Sequence, residues 1–375
     1  MKMLYILNTT NRVNNFSYSS MIAAQELGIE FHIAGNWTGY SNLADKRADE
    51  KKYGIKIHQI DFIRTPYDPR NIKAYRQVVE LIKREKFDVI HCNTPIGGVV
   101  GRLAGKKCGV NKIIYEAHGF HFFNGAPKLN WMIYFPIEKW LAHYTDCIVT
   151  MNVEDNVIAK KFKLRNESMV YNVHGVGIDL SEYEGIGRYR NNKRKELGFS
   201  EEDVVLISMG DLIARKNYRV AIEAVAKCNN PKLHYIICGK GEELNKLKAM
   251  AAALGVAKQI HFLGFRTDIK ELLAASDLFM LTSLQEGLPR STMEAMASGL
   301  PCIASKIRGN VDLIDNGKGG FLCNPDNVNQ FAKAIQSCTV AKRRVFSQNN
   351  LLTIKMFDVD TVINEMEKIY KEVLK

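Results

Sequence analysis

"EGLPRSTMEAMASGLP", residues 286–301, sets two glutamates eight positions apart with a proline between them. On one unbroken helix Glu286 and Glu294 would stand about 80° apart around the axis and roughly 12 Å apart along it. Pro289 argues against that, because proline is poor inside a helix and good in its first turn. The stretch reads as a loop carrying Glu286, a helix that starts near Pro289 and carries Glu294, and a stop at Gly299 before Pro301. The first N–H groups, at Arg290, Ser291 and Thr292, then offer an anion site. With a diphosphate there, Glu286 reaches one side of the ligand and Glu294 the other. A ribose suits Glu294, whose carboxylate can accept two vicinal hydroxyl hydrogens, and donor-sugar hydroxyls suit Glu286. On spacing alone a plainer reading stands beside this one, with Glu286 a surface loop residue and Glu294 a capping or helix-dipole partner.

Outward from this stretch, strands and helices alternate along nearly the whole chain. Strand-like runs appear at "MLYILN", "EFHIAG", "DVIHC", "KIIYEA", "CIVTM" and "MVYNV", with helix-period segments such as Phe16–Leu27 and Trp131–His143 between them. A polar, charged stretch at 181–201 reads as a linker plus a short helix, and then the alternation restarts with "VVLISMG", "LHYIICG", "QIHFLG", "DLFMLTS", "PCIAS" and "GGFLC". Such alternation argues for parallel sheets covered by helices on both faces. The expected fold is α/β, with two doubly wound Rossmann-like domains over residues 1–180 and 181–355. A terminal amphipathic helix, 356–375, is expected to pack back on the first. In such sheets ligands lie beyond the carboxyl ends of the strands, and with two domains the natural site is the cleft between them.

The loops after the second set of strands carry the chemistry. "LISMGDLIARKN" ends a strand at Gly210 and places Arg215 and Lys216 ahead of a helix, a pair of cations suited to phosphate. "IICGKGEE" follows a strand with Gly239 and Gly241, which let backbone approach a flat ligand, although this is not a GxGxxG pattern and is weak alone. "FLGFRTDIKELL" adds another glycine turn, with Thr267 or Asp268 as an N-cap.

At 375 residues, with 46% hydrophobic and 25% charged, the chain has the composition of a soluble globular protein of two domains. No apolar run approaches the roughly 18 residues that span a bilayer. Eight cysteines are scattered without a CxxC pair, and Cys92, Cys147, Cys238 and Cys302 lie in strand-like runs, as buried reduced thiols do. The net charge of +12 fits a solvated basic surface, nucleic acid or an anionic membrane. "NIKAYRQVVELIKREK", residues 71–86, is a basic helix with one apolar face, either an ordinary surface helix or a membrane-surface one.

The paired glutamates, "GDLIARKN" and "GGFLCNPDN" resemble the nucleotide-sugar domain of the bacterial family-4 retaining glycosyltransferases, whose fold is GT-B. "HCNTPIGGVVGRLA", "AHGFHFFNGAP" and "HGVGID" resemble the capsule and exopolysaccharide branch, so the likeness covers almost the whole chain. The resemblance implies a retaining transfer of a hexose or N-acetylhexosamine from a nucleoside-diphosphate sugar, a UDP-sugar first, to a lipid-linked saccharide. It implies His118, Lys216 and Glu286 at the reacting centre. Lys216 would bind the diphosphate with Gly210 and Arg215, and Glu294 would bind the ribose. Leu288, Ser291 and Thr292 would hold phosphates and sugar, while Gly239, Lys240 and Arg266 would lie near the base. His118, Glu286 and Gly287 would contact the donor sugar. Asn14, Asn15, Phe16, Phe122 and Phe123 would face the acceptor.

Two departures stand out. Asp211 occupies the place of the family's usual arginine, and the loop "NTTNRVNNFSYSS" lacks the family's glycine pair. The aromatic stretch after His118 reads either as a core helix behind an aromatic loop or as a lip touching lipid. No cofactor and no nucleic acid are expected, and, since no DxD-like motif follows a strand, no divalent metal either. The expected location is cytoplasmic, on the inner face of the cell membrane. The competing readings are a same-fold phosphorylase or nucleotide-sugar epimerase, a basic nucleic-acid-binding protein and an inactive partner subunit. The intact Lys216, Glu286 and Glu294 argue against the last two.

Overall fold

The computed structural model describes residues 1–375 apart from 11, 14, 38–42, 66, 67 and 166–168, and for residues 15, 43 and 44 it describes the backbone alone. The chain divides into two compact units. One comprises Met1–Gly177 with Val359–Lys375, the other Ile178–Asp358.

The first unit holds β1 (Lys2–Thr9), β2 (Glu30–Asn36), β3 (Lys56–Gln59), β4 (Val89–Asn93), β5 (Lys112–Ala117), β6 (Cys147–Thr150) and β7 (Met169–Asn172). They form a parallel sheet in the order β3-β2-β1-β4-β5-β6-β7. The second unit holds β8 (Val204–Met209), β9 (Leu233–Cys238), β10 (Ile260–Gly264), β11 (Leu278–Leu281), β12 (Cys302–Ser305) and β13 (Gly320–Cys323), in the order β10-β9-β8-β11-β12-β13. Both are doubly wound, Rossmann-like sheets, the architecture expected from the alternation. Both reverse their winding between the first strand and the fourth, β1/β4 in one and β8/β11 in the other.

The central strands are apolar on both faces because helices cover both. Leu4, Ile6, Ile90 and Cys92 belong to the core on one face of the first sheet. The Pro95–Cys108 helix presses closely on that face because it is glycine-rich. A Cβ at Gly98 would stand 2.5 Å from the Tyr115 ring, and one at Gly105 would stand 2.7 Å from Ile113 Cδ1. Arg102, on the same helix, is fully buried. Its guanidinium lies 3.8 Å over the Tyr115 ring and donates to Glu138 Oε2 at 2.7 Å. Removing either partner would strand a buried charge at a cost of about 3–5 kcal/mol. The pair therefore fixes the Lys128–Ala142 helix against its neighbour.

The charged stretch at 181–201 is not a linker. Tyr183 and Ile186 are buried, and Arg194 on the Arg190–Leu197 helix is 4% exposed. Arg190 and Arg194 both hold Asp277, the residue just ahead of β11, at 2.7 and 3.2 Å. Apolar residues interleaved with the charges give this segment an inner face, which binds it into the second unit. The terminal Val359–Val373 helix belongs to the first unit, where the Tyr370 hydroxyl lies 2.7 Å from His91 Nδ1. All eight cysteines are free. Seven are buried, and burial pushes the Cys92 thiol up to about 12.

Candidate active site

In the second unit the reversal of strand order sets the loop after β8 beside the loop after β11, and these two loops carry the residues that matter. A 3-10 turn, Ala214–Lys216, ends the first loop. It is zipped to the second by Leu284 N–H donating to the Arg215 carbonyl at 2.9 Å. Thr282 Oγ1 donates to the Asn217 carbonyl, also at 2.9 Å. This places Lys216 Nζ 2.7 Å from Glu286 Oε1, with both side chains largely buried. The Arg215 guanidinium donates to the Gln285 carbonyl at 2.6 Å and lies 3.7 Å from Glu286 Oε2. Lys216, Arg215 and Glu286, widely separated in sequence, thus meet in one cluster.

Sequence reasoning missed two members of this cluster. Arg308 is buried and donates through Nε to the Glu286 carbonyl at 3.1 Å. Gly309 adopts φ +81°, and a Cβ there would come within 2.4 Å of the Gly287 carbonyl oxygen. Only glycine fits that close approach. The signal was present in "SKIRGN", an Arg-Gly just beyond strand β12.

The helix opened by Pro289 spans Arg290–Ala297, and Gly299 closes it at φ +72°. Its amino end is less open than the spacing suggests. The Thr292 N–H turns back to the Pro289 carbonyl at 3.1 Å. The Thr292 hydroxyl oxygen is buried without a hydrogen-bond partner. Glu294 sits on this helix and accepts from Arg290 Nε at 3.0 Å. Burial raises its carboxyl above the ordinary range, and the Arg290 charge pulls against that shift. Leu288 is half-buried against the core below the site.

Several expectations change on contact with the structure. Gly239 and Gly241 serve another backbone. A Cβ at Gly239 would fall 1.9 Å from the Gly210 carbonyl oxygen, and one at Gly241 would fall 2.2 Å from that of Leu212. The loops after β8 and β9 pack main chain to main chain, sealed by Leu212 N–H donating to the Lys240 carbonyl at 2.8 Å. The Lys240 side chain is exposed. Arg266 is engaged in a two-pronged pair with Asp268, at 2.7 and 2.5 Å, and Lys193 holds the same carboxylate. Asp268 therefore makes no side-chain cap for its helix. Asp211 is exposed, and among the described residues no ion pair engages it; Lys216 turns to Glu286 instead.

In the first unit His118 follows β5. Its Nε2 is shielded from solvent without a hydrogen-bond partner, and the Phe16 ring stands edge-on to it at 5.2 Å. Burial holds the imidazole below the ordinary histidine range, against the opposing pull of Glu116. The ring is accordingly neutral near pH 7, able to exchange hydrogen bonds with sugar hydroxyls. Glu116 is itself buried, beside His91 at 3.0 Å and the Tyr5 hydroxyl at 3.3 Å. The Tyr5 hydroxyl in turn donates to the Phe16 carbonyl at 2.5 Å. Phe16 is half-exposed at the head of its helix; Asn14 lies outside the described residues, as does the side chain of Asn15.

Phe122 and Phe123 do not form an exposed lip. Phe122 is fully buried, stacked 4.8 Å from Phe120 and edge-on to Phe135 at 5.4 Å. Phe123 is also buried, and its carbonyl accepts from Trp131 Nε1 at 3.2 Å. The rings turn inward because the following helix closes over them.

Residues 189–349 match the family described as "Glycosyl transferases group 1", and residues 40–152 match "Glycosyl transferase 4-like". EpsD of Bacillus subtilis (strain 168) is 35% identical over 353 residues, covering 92% of this chain and 90% of its own. The UDP-Gal:alpha-D-GlcNAc-diphosphoundecaprenol alpha-1,3-galactosyltransferase of Escherichia coli is 32% identical over 275 residues, 72% of this chain and 71% of that one. Among solved structures, Anabaena HepE in complex with UDP and glucose superimposes with a TM-score of 0.80 at 21% identity, over 99% of this chain and 100% of that one. The fold is accordingly GT-B, and on the match to EpsD along nearly its whole length the chain belongs to the group 1, family-4-like glycosyltransferases.

Proposed function

We propose that this glycosyltransferase retains anomeric configuration and moves a hexose or N-acetylhexosamine from a UDP-sugar to a lipid-linked saccharide, in the building of a bacterial surface polysaccharide. The observation that carries the reading is the Lys216–Glu286 contact at 2.7 Å, set where the winding of the second sheet reverses. There a nucleoside diphosphate meets two cations, the Ser291 N–H and a carboxylate for the sugar. The UDP held by HepE and the lipid-diphosphate acceptor in the name of the Escherichia coli relative support this choice of donor and acceptor.

In the reaction the bond from the anomeric carbon to the phosphate oxygen breaks. The bond to the acceptor oxygen forms on the same face, and the acceptor proton passes to the departing phosphate oxygen. Lys216 and Arg215 receive the charge that grows on the diphosphate, the largest single term in such transfers. Glu286 orients the donor sugar. It is a poor nucleophile with two cations already at its oxygens. Glu294 binds the ribose, and His118 contacts sugar hydroxyls.

The first unit takes the acceptor, and the protein works peripherally on the inner face of the cell membrane. No divalent metal takes part, because these cations do its work. The test is a screen of UDP-hexoses and UDP-N-acetylhexosamines against a sugar-diphospho-lipid, with and without excess chelator, reading product anomer by NMR. Transfer with retention, unaffected by chelator, is expected. An inverted product, or transfer that requires added metal, would overturn the reading.

A further inference from the structure

We infer that the outward face of the Lys128–Ala142 helix is the surface on which the protein lies against an anionic membrane. The inference rests on the lipid-linked acceptor proposed above and names the part of the first unit that meets the lipid. At 100° per residue, Leu129, Met132, Pro136, Ile137 and Trp140 fall within about 140° of one another. All five are exposed, Met132 at 73%, Leu129 at 61% and Trp140 at 49%.

The stripe cannot roll inward. The opposite side of the helix is committed to the interior through Glu138, paired with the buried Arg102, and through Leu141 and Ala142. A monomer rarely leaves so continuous an apolar strip in water without a use for it.

Charge points to the occupant. The helix contains one acid, Glu138, and Arg102 neutralises it. Lys128 and Lys139 flank one edge of the stripe. The helices Asn71–Glu85, Pro95–Cys108 and Lys128–Ala142 each follow a rightward step in the sheet order, so right-handed crossovers put all three on one face. That face adds Arg76, Lys83, Lys106 and Lys107, all exposed. Lys106 Nζ lies 3.6 Å over the Tyr144 ring, which stands 5.3 Å from Trp140, so basic and apolar groups are contiguous. An apolar stripe edged by lysines and aromatics fits the headgroup layer of a negatively charged leaflet. Among the described residues no helix is long and apolar enough to cross a membrane, so this one lies on the surface.

The experiment is co-sedimentation of the full chain with phosphatidylcholine vesicles, with and without phosphatidylglycerol. Wild type is compared with the triple variant Leu129→Ser, Met132→Ser, Trp140→Ser, and with Met132→Glu alone in case the triple variant does not fold. Binding to the anionic vesicles should fall at least about tenfold in the triple variant. Turnover on a short soluble acceptor analogue should hold within about twofold, because the side chains are outside the site. Wild type that ignores both vesicle types would sink the membrane reading and this inference together. Wild type that binds anionic vesicles while the triple variant and Met132→Glu bind equally well would overturn this inference alone. Dissociation of a dimer by the variants, with vesicle binding intact, would give the face to a second copy of the chain and overturn it as well.

Discussion

Replacing Lys216 by methionine keeps the stem and removes the ammonium that stands 2.7 Å from Glu286. Two effects follow, and they can be separated. The first is structural. Glu286 loses its nearest cation while its side chain is 10% exposed. A fully buried pair broken this way costs about 3–5 kcal/mol. Here Arg215 remains 3.7 Å from the other oxygen, so about 1–2 kcal/mol is expected, a few degrees in Tm. The second effect is catalytic. A fixed donor aimed at developing charge contributes roughly 2.7–4 kcal/mol, or about 10²–10³ in kcat. Turnover should be followed by UDP release with a lipid-linked acceptor, UDP affinity by calorimetry and stability by thermal melting. A second variant, Lys216→Met with Glu286→Gln, decides between the effects. It removes the stranded charge, so stability should recover, while turnover should not. Turnover within a few-fold of wild type in the single variant, or restored in the double variant, would show that the pair only braces the two loops.

Three further outcomes test other parts of the structure. Glu294→Gln should weaken UDP binding about ten- to hundredfold, as loss of a charged hydrogen-bonding partner does, whereas Glu286→Gln should mainly lower kcat; calorimetry that responds only to Glu286→Gln would reverse the two roles. Because burial raises the Glu294 carboxyl, wild-type UDP affinity should begin to fall at a pH above the usual carboxylate range, and Glu294→Gln should flatten that fall. Acid stability should depend on His58, which burial and the neighbouring His32, 2.9 Å away, draw down to about 4. The unfolded ring binds a proton near pH 6.5 and the folded ring does not, so the stabilisation is whole above pH 6.5 and is lost as pH falls towards 4. Up to about 3 kcal/mol is involved, and His58→Asn should flatten urea midpoints across that window.

The fold was legible because each strand is a short, nearly unbroken apolar run and each helix has its own period. The two doubly wound sheets follow from that alone. The loop glutamate and the helix glutamate were legible through Pro289 and Gly299, which punctuate the backbone by local rules. What failed were judgements about contacts between distant segments. Phe122 and Phe123 look the same in sequence whether they face lipid or the core, and only the closing Lys128–Ala142 helix decides. Gly239 and Gly241 signal a close approach, yet the sequence does not say to what; the partner is the loop after β8. Arg190 and Arg194 read as linker charge, because Asp277, which binds them, lies far along the chain.

Asp211 is likewise set by segments distant in the chain. A carboxylate where the resemblance leads one to expect arginine would repel a diphosphate if the site depended on that position. The site here is charged from elsewhere. The 3-10 turn Ala214–Lys216 delivers two cations a few residues further on, and β12 delivers a third, Arg308, from a different loop. Three cations then face two carboxylates, Glu286 and Asp211, and the nearer of these already has Lys216 and Arg215 at its oxygens. Asp211 is exposed, so its repulsion acts through water and is small at ordinary salt. The Lys216 ammonium is largely buried, where its attraction is screened least. The attraction is therefore expected to win, and activity should tolerate the departure at Asp211 because a turn and a neighbouring loop supply the charge.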